Sequence, residues 1–531
     1  MPLSELHAGM RCTGLSVVRG VDISSFDVEV LDVIASDPSE PGARILVRVS
    51  GPAIDATGVG PGFSGSPILC DGRNAGAISE GIGEYGNKVA LATPIEEILR
   101  TRPVAAASAR RAPKLLRRAQ PLEGPLTVAG LTTNARRLLA RAAARADRVV
   151  LSAPPGPLGG YPVQDLRPGA SAGASISSGD ISVGAVGAVT YRDGNQVYAF
   201  GHALDGAGRR SAFLQDAYVY AVIGNPLGIP DLGAMTYKLT SAGGHDVGSV
   251  TNDTLSAISG EVGAEPPSYP LRATARSRGG GEVVVLDSRL ADERALGLGS
   301  GLGLVSPLAA STALGRLLDT VEPVTFRACA GFRLRERRPP IGFCNTYFDS
   351  FDALADLAVA GSLVDGFDLA PLHMRGAAVS IEAARGVVDD VLVSARAPGP
   401  VRAGQRVPVR VTLRRRGGDA HRMTLRVPVP RDLRGGRHTL VLTGSGSENT
   451  QDELLSELAD LLAGGDTTSS GSDEAEPRSV RGLAKAVAAL HRSVGIAARF
   501  RHRDPRVVLP SSEVRYSGRA TVSVRVLPAR R

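Results

Sequence analysis

Residues 62–67 read Gly-Phe-Ser-Gly-Ser-Pro (GFSGSP) and form the most distinctive local motif of this 531-residue chain. The motif places Ser64 between glycines directly before a predicted strand, so the serine can occupy a tight turn with its hydroxyl exposed. The glycines also allow the backbone N–H groups of Gly62 and Ser64 to point to one side, as the two donors of an oxyanion hole must. The alternative interpretation is a structural Gly/Ser turn at the start of a strand.

A nucleophilic serine needs a base, and histidine is the usual one near neutral pH. His202 lies in residues 198–205 (YAFGHALD), where an apolar strand runs into a glycine-containing loop, a suitable place for a catalytic base. His245, in residues 243–246 (GGHD), is the competing candidate. The other histidines are expected at the surface: His7, His373, His421, His438, His491 and His502.

Two blocks of the sequence resemble one family. Residues 9–99 contain FDVEVL, GFSGSP, a DG turn before GAI, and TPIE; residues 187–260 contain GAVTYRDG, AFGHALD and VGSVTND. These blocks are similar to the Ser-bearing and His-bearing halves of the SpoIVB-type sporulation serine peptidases. Those enzymes carry the His half first, whereas here the Ser half comes first, as in the broader group of bacterial proteins that share this domain.

The resemblance implies a chymotrypsin-like pair of β-barrel units that hydrolyses peptide bonds by acyl transfer. Ser64 would be the nucleophile, His202 the general base, and the amides of Gly62 and Ser64 the oxyanion hole. The substrate would be a protein or peptide, and the chemistry needs neither a metal nor an organic cofactor.

The acidic member of the triad is the open question. The family carries it in a Thr-Asp pair upstream of the serine, and the matching residues 49–52 (VSGP) have no carboxylate. Asp55 is the nearest replacement, and Asp205, Asp216 and Asp253 are others in the His block. Without an acid the site would work weakly as a dyad, or the protein would be an inactive, peptidase-like binding or scaffold protein at the cell surface.

Periodicity and turn residues predict a mainly β protein with a C-terminal β-sandwich and a few helices. Six segments are expected: a Ser-bearing barrel unit (1–101), an Arg/Ala/Pro-rich connector with one helix at 134–148 (102–179), a His-bearing β unit (180–348), a helical connector (349–375), the sandwich (376–446), and a final part with helices, an acidic Gly/Ser linker and terminal strands (447–531).

The net charge of +8 is concentrated in residues 102–148, which hold eleven basic and two acidic residues. Arg137, Arg141 and Arg145 recur at helical spacing, and the opposite face of the helix carries Leu138, a second leucine and alanines. This pattern is typical of a solvated helix face. We therefore expect a connector and no nucleic-acid partner, with binding to an anionic surface as the alternative.

The cysteines suggest two disulfides, Cys12–Cys70 and Cys329–Cys344, which would place the protein in an oxidising compartment. The opening residues, MPLSELHAGM, lack a basic and an apolar region of a signal peptide. The sequence thus predicts an extracytoplasmic protein whose export signal lies outside this chain, or a cytoplasmic one with free thiols. No transmembrane segment is expected, and the oligomeric state is not predicted.

Overall fold

The computed structural model is mainly β and contains a pair of closed six-stranded barrels, further sheets and a few helices, as the sequence predicted. It describes residues 1–34, 42–82, 85–100, 120–121, 126–146, 150–154, 157, 159–224, 236–241, 243–296, 298–318, 324–348, 350–444, 450–462, 477–490, 495–500, 506–510 and 514–527. Short 3-10 helices lie at Leu3–Glu5, Tyr85–Asn87 and Arg294–Leu296.

The first barrel carries the Ser64 turn. Its strands are β1 (Arg11–Arg19), β2 (Asp22–Ile34), β3 (Arg44–Ser50), β4 (Pro67–Cys70), β5 (Arg73–Gly81) and β6 (Val89–Pro94). Pairing runs β1-β2-β3-β6-β5-β4 and closes from β4 back to β1. Alternate residues of β2 and β3 enter the core, among them Phe26, Val28 and Val47. A short helix, α1 (Ile95–Ile98), follows β6, and β7 (Gln120–Pro121) pairs with β5.

The connector contains β8 (Leu126–Ala129), the helix α2 (Thr133–Arg145) and β9 (Val150–Ala153). The helix buries Leu138, Leu139 and Ala142 while its arginines stay exposed, which confirms the predicted solvated face. The expected Arg/Ala/Pro linker ahead of it, residues 101–125, lies outside the described residues except for β7.

The second barrel carries His202. The strands of this part of the chain are β10 (Ser171–Gly179), β11 (Ser182–Asp193), β12 (Gln196–Ala199), β13 (Gly208–Asp216), β14 (Val219–Ile223), β15 (Tyr237–Thr240), β16 (Asp246–Thr254) and β17 (Ala257–Val262). Pairing runs β10-β13-β16-β17-β12-β11 and closes from β11 to β10, while β14 and β15 form a separate two-stranded ribbon. A turn at residues 192–195 joins β11 to β12 in a hairpin.

One sheet continues from the second barrel into a layer covered by helices. Its strands are β18 (Ser268–Ser277), β19 (Val283–Ala291), β20 (Val324–Leu334), β21 (Ile341–Tyr347) and β22 (Met374–Arg385), and its helices are α3 (Leu302–Leu317), α4 (Ser350–Asp365), α5 (Thr450–Leu462) and α6 (Val480–Ala489). Both α3 and α4 are apolar around most of their circumference and are buried in the largest core, together with α2, α5 and α6.

The C-terminal strands form the predicted sandwich, which is larger than the expected 376–446. Its strands are β23 (Val388–Arg396), β24 (Val401–Arg402), β25 (Arg406–Arg415), β26 (Ala420–Pro428), β27 (Gly436–Gly444), β28 (Gly495–Phe500), β29 (Arg506–Pro510), β30 (Val514–Ser517) and β31 (Arg519–Leu527). They form sheets β26-β25-β23-β30 and β24-β31-β27-β28-β29 around a shared core. The terminal strands belong here because β31 pairs with β27, whereas β22 joins the larger sheet beside β18 and β20.

Two disulfides confirm the predicted cysteine pairs. Cys12–Cys70 joins β1 to β4 with a Cα–Cα distance of 4.4 Å, and Cys329–Cys344 joins directly opposite positions on β20 and β21 at 4.1 Å. Two disulfides indicate an oxidising environment. Of the helices that the structure describes, none has the length and apolar character needed to cross a bilayer.

Candidate active site

The Ser64 turn has a backbone conformation that its glycines make possible. Gly62 and Gly65 have φ angles of 92° and 88°, in the left-handed region that other residues rarely adopt. A Cβ on Gly65 would also lie 2.1 Å from the carbonyl oxygen of Ala188 in the second barrel. The motif therefore needs glycine at residue 65 both for the turn and for the close approach of the two barrels.

Backbone hydrogen bonds hold the turn closed. The N–H of Phe63 donates to Gly60 O and that of Ser66 to Phe63 O, both at 2.9 Å. The N–H of Gly65 donates to Ile78 O on β5 at 2.7 Å. Because Phe63 is fully buried, its ring anchors the turn in the first core.

The two amides predicted to form an oxyanion hole are not used by this bonding pattern. Among the described residues, no acceptor binds the N–H of Gly62 or Ser64, although the neighbouring N–H groups of Phe63 and Gly65 both donate hydrogen bonds. The hydroxyl of Ser64 likewise has no hydrogen-bond partner there, and the residue is only 1% exposed. Buried polar groups without partners are rare and call for an explanation, of which a catalytic role is one.

His202 follows the end of β12 through a strained segment. Phe200 and Gly201 have φ angles of 71° and 68°, and Phe200 is one of few residues other than glycine in this region. The Gly201 carbonyl accepts a 2.7 Å hydrogen bond from Thr93 Oγ1 of the first barrel. The His202 ring is largely buried, and its Nδ1 lies 2.6 Å from the carbonyl oxygen of Ala203. Since a carbonyl only accepts, Nδ1 carries the proton and the basic lone pair is on Nε2.

A single residue of β11 contacts both candidate segments. The N–H of Ala188 donates to Ser64 O at 2.7 Å, and its carbonyl accepts from Phe200 N at 3.2 Å. Close by, Thr190 Oγ1 donates to Gly65 O at 2.8 Å. The Ser64 turn and the segment that leads to His202 therefore converge on β11, at the contact between the two barrels.

The carboxylate of Asp55 has other partners. It accepts a hydrogen bond from the N–H of Gly51 at 3.1 Å and lies 3.3 Å from Lys88 Nζ, with 52% of the side chain exposed. An exposed pair of this kind is a surface feature of the first barrel. The sequence-based choice of Asp55 as the acid thus stays a prediction, and these contacts give it no support.

Asp253, one of the alternative acids, instead organises the loop that follows His202. Its fully buried carboxylate accepts hydrogen bonds from the N–H groups of Leu204, Asp205 and Gly206 at 2.7, 2.9 and 2.9 Å. Burial, together with a side-chain hydrogen bond to the Asp205 carboxyl group, raises the pKa of Asp253 to about 6, although the backbone N–H donors act in the opposite direction. The second alternative, Asp205, is held by the buried Arg210 at 2.6 Å.

The third alternative acid, Asp216, belongs to a different histidine. Its buried carboxylate lies 2.9 Å from His245 Nδ1 and accepts from Tyr161 OH at 2.8 Å. The Tyr161 ring packs edge-on against the His245 ring at 4.7 Å. His245 is therefore oriented like a catalytic histidine, but the segment that shares Ala188 with the Ser64 turn is that of His202.

Sequence reasoning missed Lys238 of β15. Its methylenes pack on Gly62, and its Nζ donates to Ser16 Oγ, which is itself hydrogen-bonded to Ser66 Oγ. One lysine in a four-residue strand gives no sequence pattern that would have placed it against a turn so distant along the chain.

Known proteins give no further guide to this arrangement. No family model, curated protein or solved structure matches the chain.

Proposed function

We propose that the protein is a serine endopeptidase of the SpoIVB type, in which Ser64 is the nucleophile and His202 the general base. The observation that carries the proposal is the convergence on Ala188: one β11 residue bonds the backbone of Ser64 and the backbone two residues before His202. A pair of unbonded amides beside an unpartnered serine hydroxyl supports the same assignment.

The chemistry is acyl transfer. His202 Nε2 takes the Ser64 proton as Oγ attacks the carbonyl carbon of the scissile peptide, and the carbonyl oxygen becomes an oxyanion bound by the N–H groups of Gly62 and Ser64. The tetrahedral intermediate expels the leaving amine, to which His202 returns the proton. Water then attacks the acyl-serine ester by the same route and restores Ser64.

A backbone carbonyl takes the orienting role that an Asp has in a triad. The Ala203 oxygen accepts from His202 Nδ1 and fixes the tautomer that leaves Nε2 basic. A neutral carbonyl by itself stabilises the imidazolium less than a carboxylate does. Ser64 is also 1% exposed, so a substrate reaches it only when the neighbouring segments separate.

The enclosed position of Ser64 favours the second candidate function, an inactive peptidase-like protein that binds a partner. A serine closed off from solvent is what a barrel pair would show after losing catalysis. For either function we propose an extracytoplasmic location, since the two disulfides need an oxidising compartment.

A serine-directed fluorophosphonate probe separates the two functions. The folded protein should be labelled, peptide mapping should place the adduct on Ser64, and Ser64→Ala should abolish it. Replacement of the exposed Ser25 by alanine is the matched control and should leave labelling unchanged. Absence of labelling in the folded wild type, or an adduct on another serine, would favour the binding protein.

A further inference from the structure

Lys238 is a buried lysine beside the Ser64 turn, to which the mechanism above gives no role. It lies on β15 with 3% of its surface exposed. Among the described residues, no carboxylate forms an ion pair with it. Buried lysines without a counter-ion are uncommon, because desolvation of the ammonium is unfavourable.

Three successive residues of the turn contact Lys238. Its N–H donates to Pro61 O at 2.9 Å. A Cβ on Gly62 would lie 2.9 Å from Lys238 Cβ and 3.2 Å from its Cγ, so the side chain runs directly along this glycine. The Nζ atom then ends 4.3 Å from the centroid of the Phe63 ring, within range of a cation–π interaction.

A row of hydrogen bonds extends these contacts to the far end of the turn. Lys238 Nζ is 2.7 Å from Ser16 Oγ on β1, and Ser16 Oγ is 2.8 Å from Ser66 Oγ. Both serines are fully buried. Lys238 thus spans the turn from Pro61 to Ser66, with Ser64 between them.

Among the residues that the structure describes, few ionisable groups surround the amine. Residues 60–66 have none, the charged residues of β1 are the exposed Arg11 and Arg19 at its ends, and β14, which pairs Val222 with Lys238, contributes only Tyr220. Burial lowers the pKa of the Lys238 ammonium to about 7. The amine is therefore expected to change charge near neutral pH.

We propose that Lys238 is a positioning residue for the Ser64 turn, and that its protonated form holds the turn in its reactive conformation. The proposal rests on the proposed function of Ser64. As an ammonium, Lys238 can only donate, so Ser16 accepts from it and donates to Ser66, and the charge attracts the Phe63 ring. The positive charge over the Phe63 ring, one residue from Gly62, also favours an oxyanion at the Gly62 amide.

As a neutral amine, Lys238 can accept from Ser16, and the row reverses so that Ser66 donates towards β1. The attraction to Phe63 and the positive charge are then lost. Ser64 should consequently be less reactive above the pH at which Lys238 loses its proton.

The first measurement needs no activity and uses the wild-type protein. With lysine labelled with ¹³C at Cε, NMR should show one lysine that titrates near neutral pH, and Lys238→Met should remove that signal. Lys485→Met, at an exposed position of α6, is the control and should leave that signal in place. If no lysine signal titrates near neutral pH, the charge change is absent and the proposal fails.

The second measurement is the rate of fluorophosphonate labelling against pH. In wild type the rate should rise as His202 loses its proton and then fall about 2- to 30-fold as Lys238 does, which is the range of one cation–π contact. Lys238→Met should label slowly at all pH values without the descending limb, and Lys485→Met should match wild type. A Lys238→Met profile that superimposes on that of wild type overturns the proposal.

The failure of the proposed function is distinguishable from these outcomes. Wild type that resists the probe at every pH refutes Ser64 as a nucleophile, and the claim about its reactivity falls with it. The NMR titration then still decides whether Lys238 is a buried amine that changes charge near neutral pH.

Discussion

Two aspartates near the site differ in what their carboxylates do. Asp253 is buried and accepts three backbone N–H groups of the loop after His202, whereas Asp55 is half exposed and pairs with Lys88. Removing a buried acceptor leaves its N–H donors without a partner, which costs stability, whereas an exposed ion pair contributes little to stability. The position of His202 should therefore depend on Asp253.

We predict that Asp253→Asn destabilises the protein by about 1–3 kcal/mol. The asparagine has an NH2 group in place of one carboxylate oxygen, so N–H donors of the loop would face a second donor and lose their acceptor. Urea unfolding measures the loss, and hydrogen exchange should show faster exchange at Leu204, Asp205 and Gly206. Labelling of Ser64 should also slow, as His202 precedes this loop directly.

Asp55→Asn is the matched change at the acid that the sequence favoured. We expect stability within about 1 kcal/mol of wild type and an unchanged labelling rate, since the Lys88 pair is exposed. A large loss of labelling with intact stability would show that Asp55 acts on His202, and would restore the triad.

Individual residues of the site could be predicted from the sequence where they lie within a local motif. Ser64 and His202 stand in strings whose glycines fix the backbone, and these strings could be interpreted before any fold was known. Lys238, Ser16 and Ser66 could not be grouped in this way, because three distant parts of the chain bring them together. The role of Asp253 was equally hidden, since an aspartate at a strand end is usually a turn residue.

At the scale of elements, β4 connects the Ser64 turn to the disulfide. Cys70 is the last residue of β4, which begins directly after Ser66, and its bond to Cys12 fixes β4 against β1. Cys329–Cys344 also joins two paired strands, but these belong to the helix-covered sheet and not to the barrel that carries the Ser64 turn. The two disulfides should therefore affect the site differently.

We predict that the double change Cys12→Ala/Cys70→Ala lowers the free energy of unfolding by about 2–4 kcal/mol. It should also slow labelling of Ser64, because β4 is freed to move against β1. Thermal unfolding and probe kinetics measure the two effects.

The double change Cys329→Ala/Cys344→Ala provides the control. It should lower stability as well, but leave the labelling rate unchanged in protein that is still folded. Equal effects of both pairs on labelling would show that the Cys12–Cys70 disulfide has no particular bearing on the turn.

Periodicity predicted most of the strands and helices, but it did not predict which sheet each strand joins. Strands β22 and β25 alternate in the same way, yet β22 joins the larger sheet and β25 the sandwich. Which strand pairs with which depends on contacts that a single alternating pattern does not encode. For the same reason the sequence assigned the terminal strands to a separate segment, although β31 pairs with β27.

At the scale of the whole molecule, the closed barrels come from separate parts of the chain, and β11 of the second barrel contacts the Ser64 turn of the first. The order of the Ser and His blocks along the chain does not constrain this contact, since a catalytic arrangement is defined in space. The sheet that continues from the second barrel and the terminal sandwich have their own cores, and the site as described does not include them.

The most direct test of the central claim is the rate at which a fluorophosphonate labels Ser64 in His202→Gln at neutral pH. If His202 is the general base, the rate should fall about 10²- to 10⁴-fold relative to wild type, while His245→Gln labels at the wild-type rate. The protein should remain folded in both variants, as judged by circular dichroism. Labelling of His202→Gln at the wild-type rate, or a comparable loss in His245→Gln alone, would contradict the account.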